Sequence, residues 1–331
     1  MTRTLLCGGR VFDGTGAPPA AADVLVEDGR ILEVGPGLDG DDAVDVGGRH
    51  LLPGLFDCHT HVTLSSIDLM GMLQKPFSYR FYETAQNLGA TLAAGITCVR
   101  DAAGADAGIK RAVADGLVQG PRLQISLTLL TQTGGHGDGW YPSGQELHFW
   151  PVYPGMPDGR VDGPEAMRRK VRELVRAGAD VIKVATSGGV LSPTDDPRHA
   201  HFRDDELTAL VTEAAAAGRW VMAHAQGSDG IKAAVRAGVR SIEHGIYLDD
   251  EAIELMLDRG AWLVPTLVAP RGVLAAAEAG LPIPEAAQRK ALEVSEAHAD
   301  SFRRAVAAGV KVAWGPTAAS PPTAATWPSW S

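Results

Sequence analysis

Long hydrophobic runs are missing from this sequence. Its first nine residues contain only two consecutive leucines, too few for the apolar core of a signal peptide, and no segment approaches the length of a membrane span. Positive charge is also scarce, since 30 Lys and Arg face 40 Asp and Glu and the net charge is -10. Without a basic run, nucleic acid and anionic membranes are excluded as partners. These absences predict a cytoplasmic protein.

Cysteine is equally sparse. The three cysteines, Cys7, Cys58 and Cys98, are an odd number without paired spacing, which excludes a disulfide framework in so long a chain. Cys58 lies between Asp57 and His59, where it could be mistaken for a metal ligand. On a strand, however, neighbouring side chains point to opposite faces, so Cys58 is expected to point away from a site that His59 faces.

The composition is otherwise that of an ordinary globular protein, with 45% hydrophobic and 21% charged residues in a chain of 331. This length accommodates one large barrel of about 250 residues with a small appendage, or two ordinary domains. Residues 1–50 contain short strand-like runs separated by turns such as Asp28-Gly29 and Gly47-Gly48. We interpret residues 1–50 as part of a small β-sandwich.

From residue 51 onward, short apolar runs alternate with amphipathic helical stretches. Glycine is favoured just past a helix, where the backbone turns left-handed. Six helical stretches end in a glycine that directly precedes a short apolar run: Gly95, Gly178, Gly218, Gly238, Gly260 and Gly309. Two more strands are expected near residues 52–56 and 123–129. Eight strands that alternate with helices predict a (β/α)₈ TIM-type barrel over residues 51–315.

The strongest chemical signal is Gly54-Leu-Phe-Asp-Cys-His-Thr-His61, at the end of the first barrel strand. Two histidines at positions i and i+2 of a strand point to the same face. His59 and His61 can therefore aim at one metal ion in the barrel mouth, where the active sites of this fold lie.

Three further polar residues, Lys183, His224 and His244, are placed at the ends of later strands. A lysine in a buried strand is costly unless it is neutralised or modified, and such a lysine loses its proton easily. A neutral amine can take up carbon dioxide to form a carbamate, a bidentate anion able to bridge two metals. The joint placement of these residues favours a functional cluster over isolated core residues.

Taken together, these motifs resemble the amidohydrolase superfamily, and within it the imidazolonepropionase-like and prolidase-like hydrolases. The resemblance extends from about Thr4 to Gly315. The matching stretches are Leu52-Pro-Gly-Leu-Phe-Asp-Cys-His-Thr-His61, Val99-Arg-Asp101, Thr131-Gln-Thr-Gly-Gly-His-Gly-Asp138, Ile182-Lys-Val184, Ala223-His-Ala225 and Ser241-Ile-Glu-His-Gly245.

The resemblance implies a binuclear metal site. It places His59 and His61 on one metal ion, His224 and His244 on the other, and a carboxylated Lys183 between them. The two ions would be zinc, and together they would polarise a scissile carbonyl and lower the pKa of a bridging water towards ~7. The implied reaction is hydrolysis of a carbon–nitrogen bond by metal-activated hydroxide, with a small-molecule amide or a dipeptide as substrate.

A sixth residue, His136, lies in the loop after the third barrel strand. The resemblance gives it a catalytic role, which is to stabilise the developing oxyanion or to orient the substrate carbonyl. Substrate choice is expected in loops such as residues 140–150, where Trp140, Tyr141 and Trp150 are candidates to line an aromatic pocket. Barrel enzymes of this kind often form oligomers, so a homo-oligomer is a further expectation.

The C-terminus departs from the pattern. The family places an Asp after the eighth strand, within Gly-Thr-Asp, whereas here Gly315 is followed by Pro316-Thr317 and no Asp comes later. A one-base frameshift converts Thr-Asp codons into Pro-Thr, and an uncharged tail with four prolines and two tryptophans fits an out-of-frame reading. We therefore expect residues 316–331 to be an aberrant, disordered tail on a C-terminally truncated barrel with impaired activity.

Several readings of the function stay open at this stage. The leading one is a dipeptidase or carboxypeptidase-like amidohydrolase, with hydrolysis of cyclic amides or xenobiotic amides as the alternative chemistry. A catalytically dead metal-binding pseudoenzyme is the alternative from a different class, and a defective product without function is the third. Metal content without turnover would favour the pseudoenzyme, and poor solubility would favour the defective product.

Overall fold

The structure is a computed structural model that describes residues 2–148, 150–192 and 195–315. It divides into a first compact unit that ends at Leu55 and a second that begins at Phe56. The tail predicted for residues 316–331 lies outside the described residues.

The first unit is one mixed, five-stranded sheet. Its strands are β1 (Arg3–Val11), β2 (Ala20–Glu27), β3 (Arg30–Gly35), β4 (Asp42–Asp45) and β5 (His50–Leu51). The order is β3-β2-β1-β4, with β5 also paired to β1. Antiparallel pairing of β2 with β3 follows from the predicted turn, because Asp28 (φ 50°) and Gly29 (φ 71°) both adopt the left-handed conformation of a tight hairpin.

The second unit is the barrel. Its strands are β6 (Leu55–Thr60), β7 (Ile96–Asp101), β8 (Arg122–Ile125), β9 (Leu129–Leu130), β10 (Ile182–Ala185), β11 (Val221–Ala225), β12 (Ser241–His244), β13 (Trp262–Val264) and β14 (Lys311–Val312). They form a three-stranded sheet, β6-β7-β8, and a six-stranded sheet, β9 to β14 in sequence order. Every neighbouring pair from β9 to β14 is parallel.

Backbone hydrogen bonds at two joints close these sheets into a ring. The amide of Asp180 donates to the carbonyl of Ile125 at 2.8 Å, and the amide of Cys58 donates to the carbonyl of Trp314 at 2.9 Å. Because β8 and β9 share the third place, the ring has eight strand positions. The prediction of a (β/α)₈ barrel is confirmed.

Two predicted strands differ in their bounds. The single strand expected over residues 123–129 is two short strands, because Leu127 adopts a left-handed backbone (φ 68°) that a continuous strand does not tolerate. The first barrel strand runs from Leu55 to Thr60 rather than over residues 52–56. Pro53 and Gly54 precede the strand, as expected for residues that weaken strand pairing.

The helices are α1 (Leu69–Leu73), α2 (Tyr79–Ala93), α3 (Ala107–Ala114), α4 (Pro164–Ala177), α5 (Asp204–Ala216), α6 (Ser228–Ala237), α7 (Asp250–Arg259), α8 (Val268–Glu278) and α9 (Glu285–Ala308). All six glycines predicted to end helices have positive φ, between 63° and 101°. The recurring αβ turn is therefore confirmed at every predicted position. In the described part of the chain, no helix is both long and apolar enough to cross a bilayer.

The core lies between the strands and the surrounding helices. Helix α4 shows the pattern, since Met167, Val171 and Leu174 recur at helical spacing and are fully buried. The strands are less well covered by other side chains near the joint between β14 and β6, where the barrel closes. There the side chains of Phe56 on β6 and Trp262 on β13 are 58% and 37% exposed.

Candidate metal centre

Four histidines from three strands and a loop position surround one space in the barrel. His59 lies on β6, and His61 directly follows this strand. His224 is the second-to-last residue of β11, and His244 is the last residue of β12. The ring centres of His59 and His61 are 5.4 Å apart, those of His59 and His244 are 5.1 Å apart, and those of His224 and His244 are 4.5 Å apart. The structure thus brings together all four predicted histidine ligands.

Lys183 on β10 belongs to the same interior. Its side chain is 2% exposed, and its Nζ has no hydrogen-bond partner among the described residues. Burial is the largest influence on this amine and lowers its pKa from 10.5 to about 7. A buried amine without a partner is costly, so a partner of opposite character is expected at this atom.

The first histidine pair is oriented through Nδ1. His59 Nδ1 lies 2.7 Å from Glu243 Oε2, and His61 Nδ1 lies 2.9 Å from the carbonyl oxygen of Ala103. Carboxylate and carbonyl oxygens accept hydrogen bonds, so both Nδ1 atoms carry the proton. The lone pair of each ring is therefore on Nε2, where it is available to a metal ion.

The second pair is oriented through different nitrogens. His224 Nε2 donates to the carbonyl oxygen of Gly188 at 3.0 Å, which leaves its lone pair on Nδ1. His244 Nδ1 lies 2.6 Å from Thr266 Oγ1, which leaves Nε2 free. His244 also adopts a left-handed backbone (φ 78°), a strained conformation of the kind found at functional sites.

Burial keeps all four imidazoles neutral. It lowers the pKa of His61 to about 4 and the pKa values of His59, His224 and His244 well below 6.5. Neutral imidazole is the form that binds metal ions. The donor set therefore has the protonation state that a metal site requires.

His136 stands against this cluster. Its ring stacks on that of His224, with the centres 4.1 Å apart and an angle of 18° between the planes. Its Nδ1 lies 2.9 Å from Ser192 Oγ and 3.7 Å from Asp195 Oδ2. Gly189 allows this position, because a Cβ on Gly189 would lie 2.1 Å from the Cε1 atom of His136.

Two charged residues beneath the histidines had no predicted role. Glu243 is fully buried and accepts from Arg100 Nη2 at 2.8 and 3.0 Å and from Ser241 Oγ at 2.6 Å. Arg100 Nε also donates to the carbonyl of Cys58 at 2.5 Å. Both residues stand within motifs that carry the family resemblance, but a motif does not indicate which partner each side chain finds.

Of the three aromatic residues expected to line a pocket, Trp150 reaches the cluster. Its ring centre lies 5.0 Å from that of His61, and it packs against the buried Ala103 and Ala185. Trp140 is 47% exposed. Trp150 therefore provides an apolar wall beside the first histidine pair.

Within the described residues, no three His, Cys, Asp or Glu side chains form a group that could hold a metal ion by themselves. The predicted set is of another kind. It has two histidines at each of two positions and relies on Lys183 to supply the ligand between them.

Comparison with known proteins identifies the family of the chain. Residues 50–316 match the amidohydrolase family. The chain belongs to this family. Over 340 residues it is 36% identical to the ochratoxinase of Aspergillus niger, a match that covers 97% of this chain and 70% of that protein.

Solved structures give the same result. A prolidase in complex with N-methylphosphonate-L-proline has 39% sequence identity and a TM-score of 0.87, covering 96% of this chain and 78% of that one. A Xaa-Pro dipeptidase with bound methionine has 30% identity and a TM-score of 0.86, covering 97% and 80%. These findings confirm the resemblance, the fold and the enzyme class: the chain is a hydrolase of the type that acts on amide bonds.

Proposed function

We propose that this amidohydrolase hydrolyses the amide bond of dipeptides or N-acyl amino acids at a binuclear zinc site. His59 and His61 would hold one ion, His224 and His244 the other, and a carboxylated Lys183 would lie between them. The observation that carries the proposal is the buried Nζ of Lys183, which has no hydrogen-bond partner in the described part of the chain and lies on the strand next to that of His224.

The donor atoms fit such a site. Each histidine is held by one ring nitrogen, which leaves the other nitrogen free to face a metal ion. For His59, His61 and His224 the partner is an oxygen that can only accept, so the other nitrogen carries a lone pair. Second partners of this type fix the tautomer and the ring orientation of metal-ligating histidines. When bound, two divalent metal ions polarise the scissile carbonyl and lower the pKa of a water molecule towards about 7.

Lys183 can supply the bridging ligand through a balanced reaction. Its neutral amine attacks the carbon of carbon dioxide, a carbon–nitrogen bond forms, and one proton leaves to solvent. The product is a carbamate with one negative charge and two oxygens. Because burial lowers the pKa of Lys183 to about 7, a large fraction of the amine is neutral near neutral pH.

His136 is suited to act on the substrate carbonyl. Its Nδ1 faces Ser192, so its Nε2 is the nitrogen left to face a ligand. The Asp195 carboxylate lies 3.7 Å from the same nitrogen and, together with Ser192, holds the ring in place. With a proton on Nε2, a ring held in this way would stabilise the oxyanion that develops during amide hydrolysis.

The substrate class follows from the relatives and from one wall of the site. Two of the similar solved structures are named as a prolidase and a Xaa-Pro dipeptidase, which are peptide-cleaving enzymes. Trp150 offers a flat apolar surface beside His61. The second candidate is a xenobiotic amide, favoured by 36% identity to an ochratoxinase over 97% of this chain.

The test is to measure zinc per subunit together with hydrolysis of a panel of dipeptides, N-acyl amino acids and ochratoxin. We expect about two zinc ions and turnover of at least one substrate class. The variant His59→Asn should lose both, whereas His50→Asn, which changes an exposed histidine on β5, should retain both. Bound zinc without turnover would refute the proposal in favour of the pseudoenzyme. A folded protein that binds no zinc would also refute the proposal.

A further inference from the structure

Glu243 is the best-connected carboxylate beneath the histidine cluster. It lies on β12, is 0% exposed, and reaches His59 on β6. Its two oxygens receive four hydrogen bonds, from His59 Nδ1, Ser241 Oγ and twice from Arg100 Nη2, at 2.6 to 3.0 Å. The carboxylate therefore accepts the full number of hydrogen bonds that its two oxygens can accept.

Arg100 holds the carboxylate group of Glu243 in place. Its Nη1 donates to Ser241 Oγ at 3.2 Å and its Nε to the carbonyl of Cys58 at 2.5 Å, so the guanidinium is fixed on three sides. Its cationic carbon also lies 5.1 Å from the centre of the Trp220 ring, a cation–π distance.

The four histidines differ in what holds them. His61 and His224 donate to the backbone carbonyls of Ala103 and Gly188, and His244 pairs with the hydroxyl of Thr266, so all three have neutral partners. His59 instead pairs with a carboxylate at 2.7 Å. A charged partner raises the basicity of the opposite ring nitrogen more than a neutral one does.

We propose that Glu243 positions His59 and strengthens metal binding at the His59–His61 position. The inference rests on the proposed function for its metals, but its structural part concerns the metal-free protein. Glu243 directly precedes His244 in the chain. Strand β12 therefore provides a ligand to one position and the supporting anion to the other.

The metal test uses the full chain, stripped of metal and titrated with Co²⁺ against a chromophoric chelator. The isosteric variant Glu243→Gln removes the charge at His59, and the matched control Thr266→Val removes the partner of His244. We expect Glu243→Gln to weaken one of the two binding steps about 10- to 100-fold and Thr266→Val to weaken only the other step. Two unchanged steps in Glu243→Gln, equal weakening of both steps, or weakening of the same step by both variants would overturn the proposal.

A second measurement does not need metal. Nitrogen-15 NMR of the histidine rings in the metal-free protein should show His59 with its proton on Nδ1, and Glu243→Gln should give a mixture of tautomers. If the single variant does not fold, Arg100→Met with Glu243→Gln removes both charges together and takes its place. A protein that binds no metal but shows the tautomer change refutes the proposed function and supports the positioning. An unchanged tautomer refutes the positioning itself.

Discussion

Replacing the buried Lys183 by methionine should make the metal-free protein more stable. The amine is enclosed in the barrel without a hydrogen-bond partner among the described residues, and burial lowers its pKa from 10.5 to about 7. Methionine has a similar length and volume but no group that must be hydrated or paired. The substitution removes the cost of the buried amine and keeps most of the packing.

The size of the effect follows from the change in pKa. The difference between 10.5 and about 7, at about 1.4 kcal/mol for each pH unit, amounts to ~5 kcal/mol as an upper limit. Below pH 7 the folded state carries a buried charge, so the wild type bears the whole cost. Between pH 7 and 10.5 the unfolded chain binds more protons than the folded one, so the stability of the wild type rises with pH. Above pH 10.5 the penalty disappears.

The assay is urea unfolding of metal-free protein in bicarbonate-free buffer at pH 6 and pH 10. Lys183→Met should unfold at higher urea than the wild type at pH 6, and this gap should shrink strongly at pH 10. Lys75→Met changes an exposed lysine that is paired with Glu83, so it should differ from the wild type by no more than about 0.5 kcal/mol at either pH. A gap of the same size at both pH values would refute the reasoning. Zinc and bicarbonate should stabilise the wild type but not Lys183→Met.

Three further predictions concern the site. Zinc at 100 times its Kd should add about 2.7 kcal/mol to the free energy of unfolding for each ion bound, and a chelator should remove this gain; no shift in a thermal melt would contradict the metal site. Gly189→Ala should displace His136 and lower kcat about 10²-fold with unchanged zinc content, whereas Gly272→Ala, where an added Cβ meets nothing within 4 Å, should be silent; equal kcat in the two variants would argue against a role for His136. Pro316→Thr combined with Thr317→Asp should raise kcat by about 10²- to 10⁴-fold if the missing Asp limits turnover, and activity that stays unchanged would show that it does not.

The sequence was a good guide wherever one residue type answers one local requirement. Glycine ends each predicted helix because a left-handed residue is needed there, and the structure has positive φ at Gly178, Gly238 and the four others. The histidines were found for a similar reason. Spacing by two on a strand places His59 and His61 on the same face, and a polar residue at the end of a barrel strand can only face the mouth or the solvent.

The partners of these residues could not be read from the sequence. His59 meets Glu243 from a strand 184 residues away, and such a contact depends on the radius of the closed ring rather than on any local pattern. The break at Leu127 was missed for a related reason. A leucine carries no signal for a positive φ, which tertiary packing imposes on it here.

The ring of strands is joined at two thin places, between Asp180 and Ile125 and between Cys58 and Trp314. His59 and His61 belong to the three-stranded arc, whereas Lys183, His224 and His244 belong to the six-stranded arc. A metal centre that takes ligands from both groups would link the two arcs to each other. Metal binding should therefore slow the transient opening of the two joints. Amide hydrogen exchange at Cys58 and Asp180 would report this change far more directly than exchange in the helices.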